Sequence, residues 1–108
     1  MPRGVKVYST ATVQLCAALG SEIARARRER RWSQPELAER IGVSVGTMRS
    51  IERGSPSVTL GVAFEAAHVL GVDLFGGTEQ VAARLADNRR VLQLLPRRVR
   101  NVSVDDNF

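Results

Sequence analysis

The chemistry open to this chain of 108 residues rests almost wholly on arginine. Fifteen of its sixteen basic side chains are Arg, and Lys6 is the other. A guanidinium presents a planar fork that meets phosphate, guanine or carboxylate through two parallel hydrogen bonds, whereas an ammonium is a hydrated point charge. A genome-wide bias toward Arg, Ala and Val explains the choice of residue equally well, so placement carries more weight than identity. Other reactive groups are scarce. Cys16 is the single cysteine, so no internal disulfide can form, and with the single histidine, His68, it cannot fill a four-ligand zinc site. No Ser, Cys or Asp constellation accompanies His68. We therefore expect no catalytic residue, no metal and no cofactor, and Cys16 reads as part of a helix core.

The positive charges are grouped. Residues 1–21 carry +2, and residues 22–31 carry +3, with Arg25, Arg27, Arg28, Arg30 and Arg31 set against Glu22 and Glu29. The middle, residues 32–83, carries −3, and residues 84–108 return to +3, which gives the net +5. A basic first third and a basic tail around an acidic middle differ from the even spread of a uniformly basic nucleic-acid binder. The RARRERR run reads first as a solvated helix face, with phosphate contact by part of it as the alternative. No apolar run approaches the roughly 20 residues that span a bilayer, and the first stretch is too interrupted for a signal peptide. A cytoplasmic protein without membrane contact is the expectation. Apolar residues make up 44% of the chain, but a chain this short buries only about two-thirds of its unfolded surface, so a partner subunit would help it fold.

Helices must position these groups. From Thr12, Val13, Cys16, Leu19, Ile23 and Ala26 recur at threes and fours, the spacing of one helix face. Ser33 opens SQPE, in which the serine hydroxyl can accept from the backbone three residues on while Glu36 reaches back, with Pro35 in the first turn. Trp32 would close the corner between these two helices over the core. Gly42 suits a left-handed ending, and Ser44 suits the cap of a third helix that runs to Arg53. After the GSP break, Thr59 reads as the cap of a fourth helix whose Leu60, Ala63, Phe64, Ala67 and Leu70 form one apolar stripe. Gly76 and Gly77 mark a hinge. Thr78 reads as the cap of a fifth helix with Val81, Leu85, Leu92 and Leu95 on one face, a break at Asp87 and Asn88, and a stop at Pro96. In the tail, Val102 and Val104 alternate with polar neighbours, which fits a short strand paired with another chain, while the basic and then acidic composition fits disorder.

The segment from Gln34 to Arg53 is the most informative. Two short helices joined by a tight turn pack steeply only with a small residue at the crossing, a glycine in the turn and apolar residues at the few shared core positions. Ala38, Gly42 and the set Leu37, Ile41, Val43, Met48 and Ile51 meet each demand. An ordinary helical hairpin is the simpler alternative.

Read whole, LGSEIARARRERRWSQPELAERIGVSVGTMRSIERGSPSVTL resembles the Cro/repressor type of helix-turn-helix regulator, the XRE family, over residues 19 to about 75. The resemblance implies an all-α, five-helix, lambda-repressor-like DNA-binding domain. It also implies a two-fold homodimer on a palindromic double-stranded DNA operator, with half-sites about 34 Å apart. By position, Gln34 would bond a phosphate; Ser44, Val45, Gly46, Thr47, Arg49 and Ser50 would lie at or near base edges; and Arg53 would reach the backbone again. Arg27 and Glu52 would form an internal ion pair, which makes Arg27 structural. Val45 and Gly46 stand where many relatives carry a long polar reader, so direct hydrogen bonds to bases are few. Val45 can touch a thymine methyl. Arg49 alone in that helix can fork onto guanine, with phosphate anchoring as the alternative reading. Operator spacing and shape would then carry much of the specificity.

The tail LPRRVRNVSVDDNF is similar to the ends of HipB-like antitoxins, which neutralise HipA-family kinase toxins and repress their own operon. The competing reading is a stand-alone phage-type, metabolic or restriction-controller repressor. The expected layout is an N-terminal arm over 1–11, a helix-turn-helix domain over 12–76, and a C-terminal helix and tail over 77–108 for dimerisation or partner binding.

Overall fold

The computed structural model describes residues 7–99. The expected strand around Val102 and Val104, most of the expected N-terminal arm and the end of the antitoxin-like tail lie outside these residues. The chain divides into two compact units, Met1–Asp73 and Leu74–Phe108. The fold is all-α: the described residues form five helices and no strand. The first unit holds α1 (Thr10–Glu29), α2 (Gln34–Ile41), α3 (Val45–Arg53) and α4 (Leu60–Leu70), and the second holds α5 (Thr78–Leu94). No helix among the described residues is long and apolar enough to cross a membrane.

Helix α1 begins at Thr10 rather than Thr12, because the Ser9 hydroxyl accepts from the Thr12 N–H at 3.2 Å and caps it. Its C-terminus ends in paired bonds, Trp32 N–H to Arg27 C=O at 3.1 Å and Arg31 N–H to Arg28 C=O at 2.9 Å. That is a Schellman ending, with Arg31 at φ 61° in the place glycine usually takes.

Ile23 of α1, Leu37 and Ala38 of α2, Met48 and Ile51 of α3, and Ala66 and Leu70 of α4 form the buried core of the first unit. Ile41, Val43, Trp32 and Ala26 pack around it half-buried. Two expected stripes are less buried than their spacing implies. Val13 on α1 and Leu60 and Phe64 on α4 are exposed, because the core lies beneath the second half of α1 and the Ala63, Ala66, Ala67 and Leu70 side of α4.

Thr59 occupies the N-cap of α4 without a side-chain cap bond. Gly77, not Thr78, is the N-cap of α5, and Thr78 is its first helical residue. The expected break at Asp87 and Asn88 is absent. Arg90 donates to Asp87 at 2.6 Å across one turn, a local pair that fits continuous helix.

Candidate nucleic-acid interface

The α2–turn–α3 unit is built by local capping. Ser33 N–H donates to Glu36 Oε1 at 2.7 Å while the Ser33 hydroxyl accepts from Glu36 N–H at 3.1 Å, a complete capping box. The Ser33 backbone hydrogen bond, followed by the one with its side chain, holds the Glu36 carboxyl below the usual carboxylate range. Gly42, at φ 75°, ends α2 in a left-handed conformation with nothing within 4 Å of where a Cβ would lie, so its backbone angle and not crowding calls for glycine. The Ser44 hydroxyl then accepts from Thr47 N–H at 3.0 Å and fixes the first turn of α3.

These caps set the two faces of α3. Met48 and Ile51 point into the core at 0% and 4% exposure. Ser44, Gly46, Arg49 and Arg53 are exposed, while Val45, Thr47 and Ser50 are half-buried. Val45 packs partly against the core, which leaves only part of its surface for a thymine methyl. The Arg49 guanidinium makes no hydrogen bond or ion pair with any described residue. Arg53 Nη2 donates to Ser50 Oγ at 3.3 Å. An open groove of about 620 Å³ runs beside α3, lined by Val43, Ser44, Gly46, Thr47 and Ser50 on one side and by Ser57, Val58, Thr59 and Val62 on the other. Sequence reasoning stopped at Arg53 and missed the second wall. The hydroxyls of Ser57 and Thr59 just beyond the GSP break were the available signal.

Behind this face lies a buried polar cluster. Arg27 Nε donates to Glu52 Oε2 at 2.6 Å and Arg27 Nη2 to Glu52 Oε1 at 3.0 Å, a two-point fork between side chains only 9% and 6% exposed. Arg27 Nη1 also donates to Trp32 C=O at 2.7 Å. Gln34 Nε2 donates to Glu52 Oε1 at 3.0 Å, so one carboxylate ties α1, the N-terminus of α2 and the end of α3 together. Burial pushes the Glu52 pKa up, but the hydrogen bonds from Arg27 and Gln34 and the charges of Arg27 and Arg28 outweigh it, leaving the carboxyl below its ordinary value. The hydrogen bond to Glu52 raises the Arg27 pKa further. One N–H of the Gln34 amide is thereby committed inside the protein, and the rest of this half-buried side chain remains at the start of α2.

The arginine run is not uniformly a solvated face. Arg25 pairs with Glu29 at 3.1 Å on the surface. Arg27 is buried. Arg30 donates to the carbonyls of Leu70 at 2.7 Å and Val69 at 3.4 Å, so it supplies partners to the last turn of α4. Arg30 and Arg40 both lie against the Trp32 ring, at 5.3 and 4.0 Å from its centroid. No cluster of three metal-ligating side chains occurs among the described residues.

A helix-turn-helix family model of the XRE type matches residues 23–76, half of the chain. No curated protein and no solved structure matches.

Proposed function

The chain belongs to the XRE-type helix-turn-helix family of DNA-binding transcription regulators, and we propose that it is a homodimeric, sequence-specific repressor of a double-stranded DNA operator. The observation that carries this reading is the division of α3. Its inner face is held by Met48, Ile51 and the Glu52 cluster, while its outer face presents Ser44, Gly46, an unengaged Arg49 and Arg53 beside a hydroxyl-lined groove. A helix entering a major groove needs such a rigid back and a free polar front. Gln34 is the phosphate contact at the start of α2; Ser44, Val45, Gly46, Thr47, Arg49 and Ser50 face the bases; Arg53 returns to the backbone. Selection of bound duplexes from a random pool tests this. A single enriched palindrome supports it, and recovery without sequence enrichment refutes it.

Within that reading, the chain is the antitoxin of a HipA-like pair that silences its kinase partner and represses the shared operon. The support is the tail from Leu95, basic and then acidic. The alternative is a stand-alone repressor. Purification from its native operon separates them, since an antitoxin brings a kinase-sized partner with it and a solitary repressor elutes alone.

A further inference from the structure

Glu52 belongs to α3, but its carboxylate reaches back to the start of α2. Its Oε1 accepts from Arg27 Nη2 and from Gln34 Nε2, each at 3.0 Å, and its Oε2 accepts from Arg27 Nε at 2.6 Å. The Gln34 amide has two ends of opposite character, an NH2 group that donates and a carbonyl oxygen that accepts, and turning it over exchanges them. An ionised carboxylate accepts only, so it admits the nitrogen end and rejects the oxygen. Glu52 therefore fixes which way the amide lies. One N–H is spent on Glu52, while the second N–H and the carbonyl oxygen have no partner among the described residues.

The orientation matters because the first turn of α2 offers few other donors. Pro35 has no N–H, and the Glu36 N–H is taken by the Ser33 hydroxyl. Gln34 supplies what remains, its backbone N–H ahead of the helical ladder and the second N–H of its amide. An amide turned over would set its oxygen against an anion instead. Nor does the carboxylate behind it repel a phosphate, since the Arg27 fork balances the charge of Glu52.

We propose that Glu52 is a positioning residue for the DNA contact of Gln34, locking the amide with its second N–H available to a backbone phosphate. One nitrogen then bridges two anions, a carboxylate inside the protein and a phosphate outside it, and Glu52 itself never touches DNA. Its contribution is the side-chain freedom removed before binding, which for one side chain amounts to about 3- to 10-fold in affinity.

This inference rests on the phosphate contact assigned to Gln34 above, and titration of the full-length chain with duplex DNA tests the two separately. Removing Glu52 alone leaves a buried uncompensated charge, so the pair is exchanged together, Arg27→Met with Glu52→Met, a replacement that buried pairs tolerate. In the wild-type background, Gln34→Ala is expected to weaken every duplex alike by about 10-fold, as loss of a hydrogen bond to a charged group does. Where the pair has been exchanged, Gln34→Ala should cost no more than about 2-fold, while Arg49→Ala should cost the same factor in both backgrounds. An equal cost of Gln34→Ala in both backgrounds would overturn the positioning role and leave the phosphate contact in place. A cost of Arg49→Ala that shrinks along with it would show a general shift of α3 and would overturn the role equally. Wild-type affinity indifferent to Gln34→Ala would remove the contact and this proposal together. Proton resonances of the free wild-type chain give a check that needs no variant to fold. The Gln34 side-chain N–H facing Glu52 should lie downfield of those of the exposed Gln14, Gln80 and Gln93, and resonances indistinguishable from theirs would also overturn the proposal.

Discussion

Gly20 of α1 lies against the carbonyl of Ile51 in α3, so close that a Cβ at Gly20 would stand 2.5 Å from the Ile51 oxygen and 2.7 Å from that of Glu52. Gly54 repeats the relationship from the other helix, its Cβ position 2.6 Å from the Ala17 Cα. Two glycines thus bring the backbones of α1 and α3 together, which seats Ile51 in the core and Glu52 within reach of Arg27. Backbone cannot yield as a flexible side chain does. Gly20→Ala should therefore lower stability by about 1–3 kcal/mol, through strain in a well-packed region. Thermal unfolding checks it, each kcal/mol corresponding to about 4–8 °C in a domain of this size. An unchanged melting temperature would mean the helices can part without cost.

Gly46 is the opposite case, since a methyl group at this position would have Ser44 Oγ as its nearest neighbour at 3.7 Å, an ordinary contact. Gly46→Ala should leave stability unchanged or raise it by up to about 1 kcal/mol, because alanine is the better helix former. If α3 lies close against the bases at Gly46, the same methyl should weaken operator binding. Paired melting and titration measurements decide it, and equal affinity would show that the helix does not approach closely at this position.

Arg31 offers a backbone test free of any side-chain bond. An L-residue at φ 61° pays a steric cost that glycine avoids. Arg31→Gly should raise stability by up to about 1 kcal/mol, the relief being partly offset by the freer unfolded chain. Arg31→Val should lower it by about 1–2 kcal/mol, since a β-branched residue is poorly tolerated there. Urea unfolding of the two variants should move in opposite directions, and movement in the same direction would contradict the left-handed ending.

What the sequence made legible follows from the range of the interactions concerned. Ser33 with Glu36, Gly42 and Ser44 are local devices whose partners lie within a few residues, so the ends of α2 and the start of α3 could be read directly. Gly20 drew no reading from the sequence because its reason lies some thirty residues away in α3. Arg30 looked like surface charge because its acceptors are carbonyls of α4. Leu60 and Phe64 share a stripe with Ala67 and Leu70, but periodicity says which residues share a face and not what lies opposite it. Asn88 read as a break because its propensity is poor, while the neighbouring Asp87–Arg90 pair belongs to an unbroken helix. At the candidate site, residue types in α3 were legible, whereas the Gln34–Glu52 bond and the wall at Ser57 and Thr59 needed three-dimensional juxtaposition.

Removing Glu52 leaves Arg27 buried without its counter-charge, so Glu52→Gln should cost about 3–5 kcal/mol at neutral pH, as breaking a buried pair from one side does. The wild-type pair is also pH-dependent. The folded Glu52 carboxyl titrates below its unfolded value, so the folded state binds its proton less tightly than the unfolded state does. Its contribution is fully present above the ordinary glutamate pKa of about 4.3 and is lost as pH falls below it through the folded value. Glu36 acts in the same direction. Melting curves between pH 7 and 3 should show a steeper acid loss for wild type than for Glu52→Gln. Parallel curves would assign the acid sensitivity to other carboxylates.

Arg49 is the side chain on α3 whose fork is free to engage DNA, and two measurements separate what it engages. Operator affinity should fall steeply between about 50 and 200 mM salt, because each neutralised phosphate releases counterions. If Arg49 forks onto guanine, Arg49→Ala should cost about 1–3 kcal/mol on the operator, relax preference at one base pair in each half-site and leave the salt slope nearly unchanged. A phosphate anchor would instead weaken all sequences alike and reduce the slope by about one. The guanine outcome is the expected one, because the proposed function already assigns the phosphates to Arg53 and Gln34. Arg49→Lys sharpens the distinction, since an ammonium keeps the charge but loses the planar fork. It should retain the salt dependence while losing most of the preference at that base pair, and full retention of both would refute guanine readout.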